Sequence, residues 1–339
     1  MGLKNERIFI IAELSANHNG SLEVALETVR AAKRTGADAI KIQTYTADTI
    51  TLNCQKEDFR ISGTIWDGKY LHELYQEAYT PWEWHEAIFN EAKKEGLICF
   101  SSPFDFSAVD FLETLECPIY KIASFEITDI PLIEYVASKG KPIIISTGIA
   151  EKQDIELALK VCRNQGNNNI TLLKCTSSYP APMEEANLKL MKQFGIDYDV
   201  NIGLSDHTLG YLTPVIATAL GAKVIEKHFI LNHSIGGPDA SFSLDEKEFK
   251  EMVDLIRTTE KALGNGSYEL TTKQKEGKVF SRSLYPICDI SKGEIITNKN
   301  IKSVRPGYSL HPKFLSEIIG KRAKRLILFG DRITLDDFE

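Results

Sequence analysis

Two short segments carry the side chains best suited to chemistry. Gly203-Leu204-Ser205-Asp206-His207 and Glu226-Lys227-His228 each end a strand-like run with an imidazole beside a carboxylate. The runs, Val200 to Leu204 and Lys223 to Ile225, flank a helix-like segment from Leu212 to Leu220. Strand, helix and strand in that order make the two strands parallel neighbours. Both C-terminal ends then lie on one face, where His207 and His228 meet. Two imidazoles with carboxylates nearby suit a divalent metal with open positions. The plainer alternative is that each histidine is a satisfied polar residue capping its strand. Asp206 is expected to orient His207, and Glu226 to face a substrate.

The elements that must position these groups follow a regular rhythm. Apolar runs typical of strands buried on both faces occur at Ile8 to Ala12, Ala39 to Ile42, Leu97 to Phe100, Ile119 to Ile122, Pro142 to Ile145 and Ile170 to Lys174, before the two already described. Amphipathic stretches alternate with them. Ser21 is a fitting N-cap for the first, and Gly36 a stop. Pro81 fits the first position of another, which Gly96 ends. Further helices are expected over Ala108 to Leu115, Pro131 to Ser138, Asp154 to Arg163, Glu184 to Phe194 and Glu246 to Leu263. Eight strand–helix units in about 260 residues is the length of a closed (β/α)8 TIM barrel. A doubly wound sheet instead predicts a Gly-rich phosphate turn after the first strand, where this chain has Glu13-Leu14-Ser15-Ala16-Asn17. The segment from 44 to about 80 is long and irregular, a form more often functional than idle. From Gly277 the pattern changes to short strand-like pieces between turns, which predicts a small β-rich domain. The expected division is a barrel over 1–265, a linker over 266–280 and the small domain over 281–339.

Composition narrows the function. With 43% hydrophobic and 26% charged residues the chain is that of a soluble globular protein. A net charge of -7 argues against nucleic-acid binding. No apolar run approaches the roughly 20 residues of a membrane span. Met1 to Arg7 is too short and polar for a signal peptide. Six cysteines without a Cys-x-x-Cys pair fit free thiols in a cytoplasmic protein.

At a barrel mouth the strand ends converge. Lys41 and Lys121 lie inside or at the ends of buried strands, which is costly unless each meets an anion. With the hydroxyls of Ser124 and Ser146 they read as a cradle for phosphate and carboxylate. Ion pairs with Glu13, Glu126 or Glu226 are the structural alternative, and a Schiff-base lysine is the chemical rival. Tyr45, Phe59 and Trp66 offer an apolar wall or simply pack the long loop. His233 and His311 read as loop histidines.

The segments Ile11 to Gly20, Lys41-Ile42-Gln43, Tyr120 to Ser124, Ser146-Thr147-Gly148, Cys175 to Pro180, Gly203 to His207, Glu226 to Phe229 and Gly237 to Ser243 together resemble the sialic acid synthase family. Arg282-Ser283-Leu284 and Val304 to Gly307 are similar to the antifreeze-like (SAF) domain that closes those enzymes. Glu13 to Asn17, Leu173 to Ser177 and Ser309 to Lys313 resemble the branch of the family that uses a diacetamido deoxy-hexose.

The resemblance implies condensation of phosphoenolpyruvate with an open-chain amino sugar, aided by a divalent metal, Mn2+ before Mg2+ or Co2+. It implies metal binding by His207 and His228, and phosphoenolpyruvate binding by Lys41, Ser102, Lys121, Ser124 and Ser146. Gln43, Ser177, Tyr179 and Asp239 would line the sugar site, and Glu13 and Glu226 would serve as catalytic carboxylates. Arg305 would reach the sugar from the small domain of the second subunit in a homodimer.

Overall fold

The computed structural model describes residues 7–339; all but Arg7 of the stretch judged too polar for a signal peptide lies outside the described residues. Contacts divide the described residues into two compact units, one ending at Gly264 and one spanning 265–339.

The first unit is a closed eight-stranded parallel barrel in sequence order. Its strands are β1 (Phe9–Glu13), β2 (Ala39–Thr44), β3 (Ile98–Pro103), β4 (Tyr120–Ile122), β5 (Ile143–Ser146), β6 (Ile170–Cys175), β7 (Asn201–Asp206) and β8 (Val224–His228). Closure comes from β1 pairing with β8, Glu13 opposite His228. The outer ring holds α1 (Leu22–Thr35), α2 (Trp82–Glu95), α3 (Phe106–Thr114), α4 (Ile130–Ser138), α5 (Lys152–Asn164), α6 (Leu188–Tyr198), α7 (Leu212–Ala219) and α8 (Glu246–Leu263). Their apolar faces bury Val29, Ile88, Val136, Leu159 and Met252 against the outward side chains of the strands.

Local signals fix the boundaries. Ser21 Oγ accepts from Val24 N at 3.4 Å to start α1, and Gly36, left-handed at φ 86°, ends it. Pro81 stands at the N-cap of α2, one place before the first-turn position expected of it. The helix expected from Glu184 is split: Met183–Glu185 forms a 3-10 turn, and Asn187 at φ 41° breaks the chain before α6 begins at Leu188. Asn tolerates the left-handed region through its short polar side chain.

Gly203 on β7 is required by close packing. A Cβ there would lie 2.3 Å from the carbonyl oxygen of Val224 and 2.6 Å from Leu173 Cδ2. The β7–β8 spacing beneath the two histidines therefore depends on a missing side chain.

The second unit pairs β9 (Ser283–Pro286) antiparallel with β10 (Ile301–Val304). Leu284, Ile290, Ile296, Ile301, Ile318, Ile327 and Phe338 form its own small core. A short helix, Thr272–Gly277, lies in the stretch expected as linker.

Candidate active site

Alternation along each strand sends every second side chain into the barrel. Towards the C-terminal ends this gathers Glu13 of β1, Lys41 and Gln43 of β2, Ser102 of β3, Lys121 of β4, Ser146 of β5, and Glu226 and His228 of β8. All but half-buried Gln43 are buried. Lys41 Nζ lies 2.6 Å from Glu13 Oε2 and 3.9 Å from Glu226 Oε2, and donates to Ser102 Oγ at 3.4 Å. Lys121 Nζ lies 3.3 Å from Glu226 Oε1, which also accepts from Ser205 Oγ at 2.9 Å. Gln43 Nε2 donates to Glu13 Oε1 and to Ser15 Oγ, both at 3.2 Å.

The two carboxylates differ electrostatically. Burial raises Glu13 to about 7, the charge of Lys41 opposing it and that of Glu226 reinforcing it. Burial acts on Glu226 in the same direction, but Lys121 and Lys41 together outweigh it and hold Glu226 below the usual carboxylate range. The cluster therefore keeps one firm anion and one carboxyl that titrates near neutrality.

Beside it stand hydroxyls. Ser177 Oγ donates to Ser124 Oγ at 2.8 Å. Gly148 makes room for that pair: a Cβ at Gly148 would meet Ser177 Oγ at 2.1 Å and Ser124 Oγ at 2.6 Å. Ser146 Oγ is buried with no hydrogen-bond partner. Two lysines and three hydroxyls, one of them an unpartnered donor, make a surface suited to a small dianion.

The imidazoles of His207 and His228 lie 5.3 Å apart, centroid to centroid. His207 Nδ1 is 2.9 Å from the carbonyl oxygen of Thr176, which leaves Nε2 for another partner. His228 is pushed well below the usual imidazole range by burial, with the charges of His207 and nearby lysines adding to it. Its Nδ1 is buried without a hydrogen-bond partner, 3.8 Å from Asp239 Oδ2. A neutral imidazole with an orphaned nitrogen, beside a second imidazole fixed by a carbonyl, fits a divalent metal. Tyr179 packs over both rings, 4.3 Å from that of His207 and 6.3 Å from that of His228. Asp239 accepts from Ala16 N at 3.3 Å.

Asp206 does not orient His207. Its Oδ2 pairs with Lys227 Nζ at 2.6 Å and its Oδ1 accepts from Thr208 N and Oγ1. Asp206 and Lys227 point away from the barrel interior, because neighbours along a strand face opposite sides. The carbonyl of Thr176 takes the orienting place expected of Asp206. Arg305 is exposed in the second unit, directly after β10.

Sequence reasoning missed Ser205, Ser15 and Gly148, whose parts appear only when strands are laid side by side. It also passed over Glu126 as anything but an ion-pair partner. Burial raises that carboxyl to about 7, and its Oε2 is unpartnered. Elsewhere, His233, Asp245 and Glu248 bring one ligand atom each within 4.8 Å of one another, a group able to hold a metal ion. Asp245 there caps α8 and Glu248 returns the capping bond, with His233 Nε2 at 3.1 Å from Glu248.

The chain matches the NeuB family over residues 28–268 and the SAF domain over residues 281–339. A pseudaminic acid synthase of Campylobacter jejuni is 51% identical over 335 residues, covering 99% of this chain and 98% of that protein. One of Helicobacter pylori is 50% identical over 331 residues, covering 97% of each. Among solved structures, an N-acetylneuraminic acid synthetase from Leptospira borgpetersenii in complex with citrate aligns at a TM-score of 0.72 and 30% identity, over 80% of this chain and 90% of that one.

Proposed function

The chain belongs to the NeuB family, and from that premise we propose that it makes pseudaminic acid by condensing phosphoenolpyruvate with 2,4-diacetamido-2,4,6-trideoxy-L-altrose. The observation that carries this reading is the single barrel mouth at which a two-lysine cradle faces a pair of imidazoles across two buried glutamates.

Lys41, Ser102, Lys121, Ser124 and Ser146 bind the phosphate and carboxylate of phosphoenolpyruvate. Gln43, Ser177, Tyr179 and Asp239 hold the sugar. His207 and His228 would hold the divalent ion, Mn2+ before Mg2+ or Co2+, which when bound supplies Lewis-acid polarisation of the sugar aldehyde. C3 of phosphoenolpyruvate forms a bond to the aldehyde carbon as the C2–C3 π bond opens, the aldehyde oxygen takes up a proton to become a hydroxyl, and positive charge develops at C2. Glu226, kept ionised by the lysines, stabilises that charge. Glu13 accepts a proton from the water that adds at C2. Collapse of the resulting tetrahedral centre releases phosphate and leaves a nine-carbon α-keto acid.

Arg305 reaches the sugar from a second copy of the chain in a homodimer. The cytoplasm supplies both substrates, and cysteines that are all free suit that compartment.

Legionaminic or N-acetylneuraminic acid synthesis is the alternative within the family. The roughly 50% identity to pseudaminic acid synthases, against 30% to the N-acetylneuraminic acid synthetase, favours the first reading. Phosphate release from phosphoenolpyruvate should vanish in excess chelator and return with manganese. Full turnover in chelator would remove the metal from the account.

A further inference from the structure

Trp66 belongs to the long irregular segment from 44 to about 80, which the mechanism above does not use. Its indole N–H donates to the carbonyl oxygen of Pro238 at 3.2 Å, one residue before Asp239. Its ring lies 5.9 Å from that of Tyr179, tilted by 51°. Tyr179 in turn lies 4.3 Å from His207. Three rings thus step outward from the imidazole pair: His207, Tyr179, Trp66. Trp66 and Pro238 also line a cleft of about 730 Å³.

The lining of that cleft has a definite chemistry. Asn19 and Ser241 offer neutral hydrogen-bonding groups beside the indole and Pro238. Lys69 also faces it, but its Nζ is paired with Glu77 Oε2 at 2.5 Å, and Asp67 stands nearby. This balance disfavours a sugar phosphate and suits a neutral amide next to an apolar surface. An open six-carbon chain with bonds of about 1.5 Å spans roughly 6 Å. With van der Waals contact at each end, a sugar whose C1 reacts beside His207 is long enough to pass Tyr179 and touch Trp66.

We propose that Trp66 is a specificity-determining residue, its indole face packing on the C6 methyl and C4 acetamido groups of the sugar and the cleft it lines receiving the amide. The proposal rests on the reaction proposed above and names the part of the site that reads the far end of its substrate. Methyl groups gain from burial against an indole, whereas a hydroxyl in the same place forfeits that contact.

The test compares kcat/KM for the diacetamido deoxy-sugar with that for its analogue bearing a hydroxyl at C4, in the full-length protein with manganese. In Trp66→Ala the ratio should fall about tenfold or more, mainly through a higher KM for the diacetamido sugar. Trp66→Phe keeps an apolar wall but loses the bond to Pro238, and should retain most of the ratio. An unchanged ratio in Trp66→Ala, with both rates lowered together, would mean that Trp66 merely supports the loop and would overturn the proposal. So would a Phe variant that loses as much selectivity as the Ala variant, since that assigns the effect to the Pro238 bond. Failure of the unaltered protein to use the diacetamido sugar at all would defeat the reaction itself, an outcome distinct from either variant result.

Discussion

Glu13 and Glu226 sit on adjacent strands, equally buried, yet carry different charge. Two lysines near Glu226 keep it ionised, while Glu13 is raised to about 7 by burial. The sign of the consequence is fixed. Because the folded value lies above 4.5, the stability this group contributes is present below that pH and is lost as pH rises towards about 7. Its service as a base runs the other way, since the carboxylate forms only as pH rises through about 7. Activity should therefore climb with an inflection near 7, and Glu13→Gln should remove that limb along with most of kcat. Persistence of the limb in the Gln variant would reassign it to Glu126, which titrates in the same range. At this scale the residue types were legible in the sequence but not all their directions. Asp206 beside His207 looked like an orienter, although the two-residue period of a strand already sets adjacent side chains on opposite faces.

Elements bring these residues into register, and two glycines show how tightly. Gly203 lets β7 approach β8, and Gly148 gives the Ser124–Ser177 hydroxyl pair its space. Gly148→Ala places a methyl 2.1 Å from Ser177 Oγ and must displace one or both hydroxyls. The expected outcome is a rise of tenfold or more in KM for phosphoenolpyruvate, equivalent to about 1.4 kcal/mol, with the melting temperature little changed. An unaltered KM would show that Ser124 does not touch that substrate. The eight strands and most helices were readable from apolar runs and caps. The break before α6 was not, because Asn187 enters the left-handed region for local reasons that periodicity does not register. Between β2 and α2, the helix Leu71–Ala78 falls where Tyr70 to Ala78 reads as helical, whereas the one-turn helix Ala47–Ile50 and the 3-10 turn Glu57–Phe59 were hidden in a stretch without a sustained period.

The whole chain is a barrel unit and a small β-rich unit, each with a core of its own. The barrel was legible because eight repeats of one rhythm leave few alternatives, and the small unit because that rhythm stops. What no single chain displays is the route by which Arg305 meets a sugar. If a second copy supplies it, mixing His207→Ala with Arg305→Ala protein under exchange conditions should yield activity that neither has alone, because a mixed dimer holds one site with both groups intact. Silence in a mixture shown to contain mixed dimers would place Arg305 in its own barrel's service or in none. The central claim is the bond between phosphoenolpyruvate and a particular sugar, and one measurement reaches it directly. Purified protein with manganese and phosphoenolpyruvate is offered the diacetamido L-altrose sugar, the corresponding legionaminic precursor and N-acetylmannosamine in parallel, with the product mass and released phosphate recorded. The account predicts a nine-carbon keto acid and stoichiometric phosphate chiefly from the first sugar. Preferential turnover of either other sugar, or phosphate release without a condensed product, would contradict it.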